Sequence, residues 1–81
     1  MRLWLTPAQA ESIARHALDS RPQEACGIIG GIGERAMQII PIMNSAPDPT
    51  HHFRLDDQAF ASAMFNLERN GLALIGIYHS H

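Results

Sequence analysis

Two histidines, His79 and His81, flank a serine in the stretch GIYHSH and follow an apolar run, LALIGIY. On a β-strand successive side chains alternate faces, so residues at i and i+2 point the same way, about 6.5–7 Å apart along the backbone. Two imidazoles placed like this can converge on one ion. Zinc accepts neutral histidine nitrogen at about 2.0–2.1 Å, and a catalytic zinc usually keeps three protein ligands and a water. The pair therefore supplies part of such a site, and the same spacing also fits an exposed chain end. A metal hydrolase further needs a proton acceptor that is not itself a ligand, normally a carboxylate. Glu24 is the candidate, at the mouth of the apolar, small-residue stretch ACGIIGGI. Its alternative reading is a carboxylate at a strand end, salt-bridged or solvated.

Other residues have the right chemistry but a plainer explanation. Cys26 is a good zinc-ligand type, yet beside Gly27 in an apolar strand it reads as a small buried filler. His51 and His52 fall in a Pro-rich loop, where they could approach the site, contact a substrate or do neither. Asp48 lies in the same loop. Asp56 reads as a helix cap and Asp57 as a first-turn residue favoured by the helix dipole. His16 lies near the C-terminal end of a helix, where a cation is welcome, and carries no functional role in this reading. Trp4 and Tyr78 read as core or core-edge aromatics.

The elements that must position these residues can be read from local signals. Arg2 to Leu5 reads as a short strand. Thr6-Pro7-Ala8-Gln9 supplies an N-cap, a proline at the first helical position and a capping-box glutamine. Apolar residues at Ala10, Ile13, Ala14, Ala17 and Leu18 then lie on one helical face, and the helix must stop near Ser20, before Arg21-Pro22. Ala25 to Ile32 reads as a buried strand. Gly33-Glu34 turns the chain into a partner strand, Ala36 to Met43, which Pro41 pushes toward a sheet edge. Residues 44 to 52, NSAPDPTHH, read as a surface loop with no regular structure. A second helix opens with Asp56 as N-cap and Leu55 placed to staple onto Phe60, and closes at Asn70-Gly71. Leu72 to Tyr78 is a last strand. The order β-α-β-β-α-β predicts an α/β (α+β) mixed sheet with helices packed on it, in a single domain spanning residues 1–81.

Composition bounds the partners. The 81 residues are 46% hydrophobic and 17% charged, a globular balance. A net charge of −2 with no basic run gives no footprint for nucleic acid or an anionic membrane, so neither is expected as a partner. No apolar stretch approaches the ~20 residues of a membrane span. The opening Met1-Arg2-Leu3-Trp4-Leu5 runs straight into a helix start without the apolar region of a signal peptide. With a single cysteine, these features predict a cytoplasmic protein.

Taken together, RPQEACGIIGG, IPIMN, HHFRLDDQAF and GIYHSH, in that order and at these separations, resemble the N-terminal half of the JAMM (MPN-plus) zinc metallopeptidases, especially the small stand-alone bacterial kind. The resemblance covers the whole chain. It implies a mixed fold related to cytidine deaminases. It also implies hydrolysis of the bond after the C-terminus of a ubiquitin-like or sulfur-carrier protein. On that resemblance His79 and His81 match the two histidine ligands of Zn2+, and Glu24 matches the general acid/base. In the family the motif continues with a proline, a serine that helps stabilise the oxyanion and an aspartate that is the third zinc ligand, about ten residues beyond the position of His81. No residue of this sequence matches that aspartate, so a domain truncated on its C-terminal side is expected. Weak zinc binding and little turnover by these 81 residues follow. The rival reading is a non-catalytic protein-binding module or a truncated remnant. Either way, an apolar last strand without a neighbour predicts self-association through its edge.

Overall fold

The computed structural model describes residues 2–80, so one expected zinc ligand, His81, lies outside the described residues. Helix α1 spans Pro7–Ser20, strand β1 Cys26–Ile32, strand β2 Arg35–Ile42, helix α2 Asp57–Arg69 and strand β3 Ala73–His79. The sheet order is β2-β1-β3, with β1 antiparallel to both neighbours. Strands β2 and β3 therefore run parallel to each other on either side of β1, and α2 makes the crossover between them. This is the mixed α+β architecture that the sequence pattern predicts. No described helix is long and apolar enough to cross a membrane.

Both helices are set by their ends. The Thr6 hydroxyl accepts from the Gln9 N–H at 3.1 Å while the Gln9 side chain accepts from the Thr6 N–H at 2.8 Å, a complete capping box. The Asp56 carboxylate accepts from the Ala59 N–H at 2.9 Å and starts α2. That helix ends where Gly71 adopts φ +70°, which lets Leu72 N–H reach the Leu67 carbonyl and Gly71 N–H reach that of Glu68. This left-handed closure satisfies carbonyls the helix would otherwise leave open.

Strand β1 is buried along nearly its whole length because it is covered on both faces. On one face Ile28 joins Ile42, Ala63 and Leu67 in the core, flanked by Leu55, Phe60, Met64, Leu72 and Leu74. Glycine permits this closeness: a side-chain carbon at Gly30 would collide with Leu67, and one at Gly27 with the Tyr78 ring. The other face carries Tyr78 and α1, which is covered less well; no residue of α1 is fully buried, and Leu18 is exposed.

The expected first strand is reduced to one parallel bridge between Trp4 and Arg35, in which Trp4 N–H donates to Glu34 and its carbonyl accepts from Ala36. Helix α1 begins at Pro7, so the chain turns away before a second pair can form. Trp4 is consequently 60% exposed, contrary to its reading as a core or core-edge aromatic.

Leu67→Ala is expected to lower unfolding free energy by roughly 2–4 kcal/mol, because a fully buried leucine against Gly30 leaves a cavity. Phe65→Ala, on the exposed side of the same helix, should cost about 1 kcal/mol or less. Denaturant unfolding of the two variants checks the difference.

Candidate functional site

The β1–β3 register brings the ends of the chain's two chemical segments together. Cys26 pairs with His79. One step further, the Ser80 N–H donates to the Ala25 carbonyl at 3.0 Å, and the Ser80 hydroxyl accepts from the Ala25 N–H at 2.8 Å. The serine between the histidines thus extends the ladder past the strand. Glu24, next in line, is 5% exposed, and its Oε1 stands 3.6 Å from His79 Nδ1. That separation is too long for a hydrogen bond but close enough for an ion pair when the imidazole is protonated.

A third segment closes the site. The loop expected to be irregular is pinned at its base by an Asn44–Leu55 bridge. The Glu24 N–H donates to the Pro49 carbonyl at 2.7 Å, and the Asn44 amide donates to the Glu24 carbonyl at 3.0 Å. From the far side of the loop the Phe53 ring stacks on the His79 imidazole, with centroids 4.2 Å apart and planes 14° from parallel. Glu24 and His79 therefore meet where three stretches of chain converge.

The remaining candidates are occupied elsewhere. Cys26 is fully buried and its thiol donates to the Ile42 carbonyl at 3.4 Å. Burial, and then the Glu24 charge, push that thiol above its ordinary value, which disfavours the thiolate a metal needs. His51 pairs with Asp48 at 2.9 Å on the exposed loop. Hydrogen bonds from Thr50 and then His51 hold the Asp48 carboxyl below its usual range. Asp56 caps α2 and Asp57 sits in its first turn, as expected. His16 contacts the Tyr78 hydroxyl at 2.8 Å on the opposite sheet face. Among the described residues no three His, Cys, Asp or Glu side chains cluster as a metal site.

Asn44, Phe53 and Ser80 are the contributors that the sequence reading passes over. An asparagine directly after a strand and before a Pro-rich loop is a signal for side-chain capping of backbone groups. Nothing local marks Phe53, because its partner is distant in sequence.

Comparison with known proteins shows what the chain is similar to. The family model for prokaryotic homologs of the JAB domain matches residues 6–81. A probable TtuB-protein conjugate cleaving protease of Thermus thermophilus is 35% identical over 79 residues, covering 98% of this chain and 53% of that protein. A desampylase of Haloferax volcanii is 30% identical over 86 residues, covering 99% and 62%. The solution structure of a Desulfitobacterium hafniense protein superposes with a TM-score of 0.82 at 32% identity, over 94% of this chain and 54% of that one. The chain spans about half the length of the relatives it matches.

Burial, followed by the proximity of Cys26, raises the Tyr78 phenol to about 12 from its ordinary value of 10. The folded state therefore holds this proton more tightly than the unfolded chain does. Its contribution to stability is complete below pH 10 and is lost as pH rises toward 12. The single tyrosine makes this visible: phenolate absorbance should have its midpoint near pH 12 in the folded protein, and Tyr78→Phe should flatten the alkaline loss of stability.

Proposed function

The chain belongs to the prokaryotic JAB-domain family of JAMM type, and from that premise we propose that it is the N-terminal part of a zinc-dependent isopeptidase, hydrolysing the bond after the C-terminus of a ubiquitin-like or sulfur-carrier protein. One observation carries the reading: a buried carboxylate, Glu24, lies 3.6 Å from a histidine at the end of β3. The names of two relatives, a conjugate-cleaving protease and a desampylase, support the substrate class.

The donor chemistry fits zinc. Neutral imidazole is a preferred ligand, His79 is partly exposed at a strand end, and a carboxylate as buried as Glu24 calls for positive charge nearby. His79 and His81 would hold the ion, with further ligands from outside the described residues. When bound, zinc acts as a Lewis acid that acidifies water and polarises a carbonyl. Glu24 does the proton work: its carboxylate accepts a proton from the attacking water and delivers it to the leaving amine. The backbone on both sides of Glu24 is anchored, by Pro49 and by Asn44, so the carboxylate is held in place for both transfers. Phe53 fixes the plane of the His79 ring and shields one of its faces.

Two histidines leave zinc under-coordinated. These 81 residues should therefore keep less than one equivalent of zinc after dialysis, and a stoichiometric, tightly held ion would contradict that. With zinc at saturating concentration, whatever residual cleavage of a ubiquitin-like conjugate the protein supports should fall by about 10²–10⁴-fold in Glu24→Gln, with zinc binding unchanged. His79→Ala should weaken the zinc binding itself. Partner binding with neither cleavage nor any Zn2+ binding by the parent protein would support a binding module instead.

A further inference from the structure

We infer that Asn44 is a positioning residue of this site: its amide clamps the backbone at Glu24 and on both sides of Phe53, and so sets the two groups that flank His79. The inference rests on the reading of Glu24 and His79 as one functional site.

Its basis is the geometry of a single side chain. Asn44 Nδ2 donates to the carbonyls of Glu24 at 3.0 Å, His52 at 3.0 Å and Pro49 at 3.3 Å. Its Oδ1 accepts from the N–H groups of Ala46 at 3.0 Å and Arg54 at 3.1 Å. The two amide hydrogens serve three carbonyls, so one of them is shared, with Pro49 as the longest contact. Each end of the amide then has a distinct consequence.

The bonds to the His52 carbonyl and the Arg54 N–H grip the chain immediately before and after Phe53. A residue held on both sides has little freedom in its Cα–Cβ direction, and this one carries the ring that stacks on His79. The bond to the Glu24 carbonyl, with the Glu24 N–H donating to Pro49, likewise grips residue 24 on both sides. One neutral amide thus ties the loop to the catalytic carboxylate's backbone and aims an aromatic ring at the histidine.

Few side chains can replace it. Aspartate keeps the acceptor but loses both donors, and it turns a negative charge toward three carbonyl oxygens. Alanine removes all the bonds and leaves the part-buried Glu24 carbonyl without its amide donor. The outer side of the loop has its own fastening, between Ser45 and Arg54, which touches neither Glu24 nor Phe53.

Proton NMR of the 81-residue protein tests the inference. Stacking at 4.2 Å should displace the carbon-bound ring protons of His79 upfield, and Phe53→Leu, which removes the ring, should abolish the displacement. Asn44→Ala and Asn44→Asp should abolish most of it while the β-sheet amide dispersion persists, and should weaken Zn2+ binding by about 10–100-fold. Arg54→Ala should retain both properties. A folded Asn44→Ala protein that keeps the upfield displacement would overturn the inference. Should that variant fail to fold, the parent protein still decides: the Asn44 side-chain amide protons should exchange slowly with solvent, and rapid exchange overturns it. A parent protein that binds no Zn2+ but loses the displacement in Asn44→Ala would defeat the metal reading and leave the clamp standing.

Discussion

Cys26 sits opposite His79 in the β1–β3 ladder, and the meeting of His79 with Glu24 depends on that pairing. Side chains on a strand alternate with period two, so a slip of one residue would carry His79 to the face occupied by Tyr78 and α1, away from Glu24. Several contacts oppose the slip. Tyr78 lies over Gly27, where any larger residue would collide with its ring. Ser80 engages both polar groups of Ala25.

The buried carboxylate imposes the second constraint. Removing Glu24 from water is costly unless positive charge or hydrogen bonding compensates it. His79 supplies such charge when protonated, and a cation held by its imidazole would supply more. Backbone anchors on β1's approach and on the loop place the carboxylate there, and among the described residues no Arg forms a salt bridge with it. Cys26, a ligand type by its chemistry, is withdrawn by its contact with Ile42, by burial and then by its proximity to Glu24.

What the sequence reveals of this arrangement divides along the range of the interactions. The capping box at Thr6, the Asp56 cap and the Asn70-Gly71 closure are made within a few residues, and each lies where the local pattern puts it. Pro41 at the edge of the described sheet has the same kind of warrant, since proline cannot donate to a ladder. The short first strand fails for a reason the pattern does not weigh: the helix cap at Thr6 competes for the same residues and leaves one bridge. Glu24 and His79 were legible as candidates by residue type and by family resemblance, whereas the loop's contribution was not. Asn44 and Phe53 act on residues far away in sequence, and a Pro-rich stretch read locally is only a loop.

The claim that Glu24 and His79 form one metal-dependent hydrolytic site is tested most directly by locating the ion. Crystals of the protein soaked in excess Zn2+ and measured across the zinc absorption edge should give an anomalous peak about 2.0–2.1 Å from an imidazole nitrogen of His79, with the Glu24 carboxylate beside it but outside ligand distance. A peak at His51 and Asp48, or none at His79, would contradict the account.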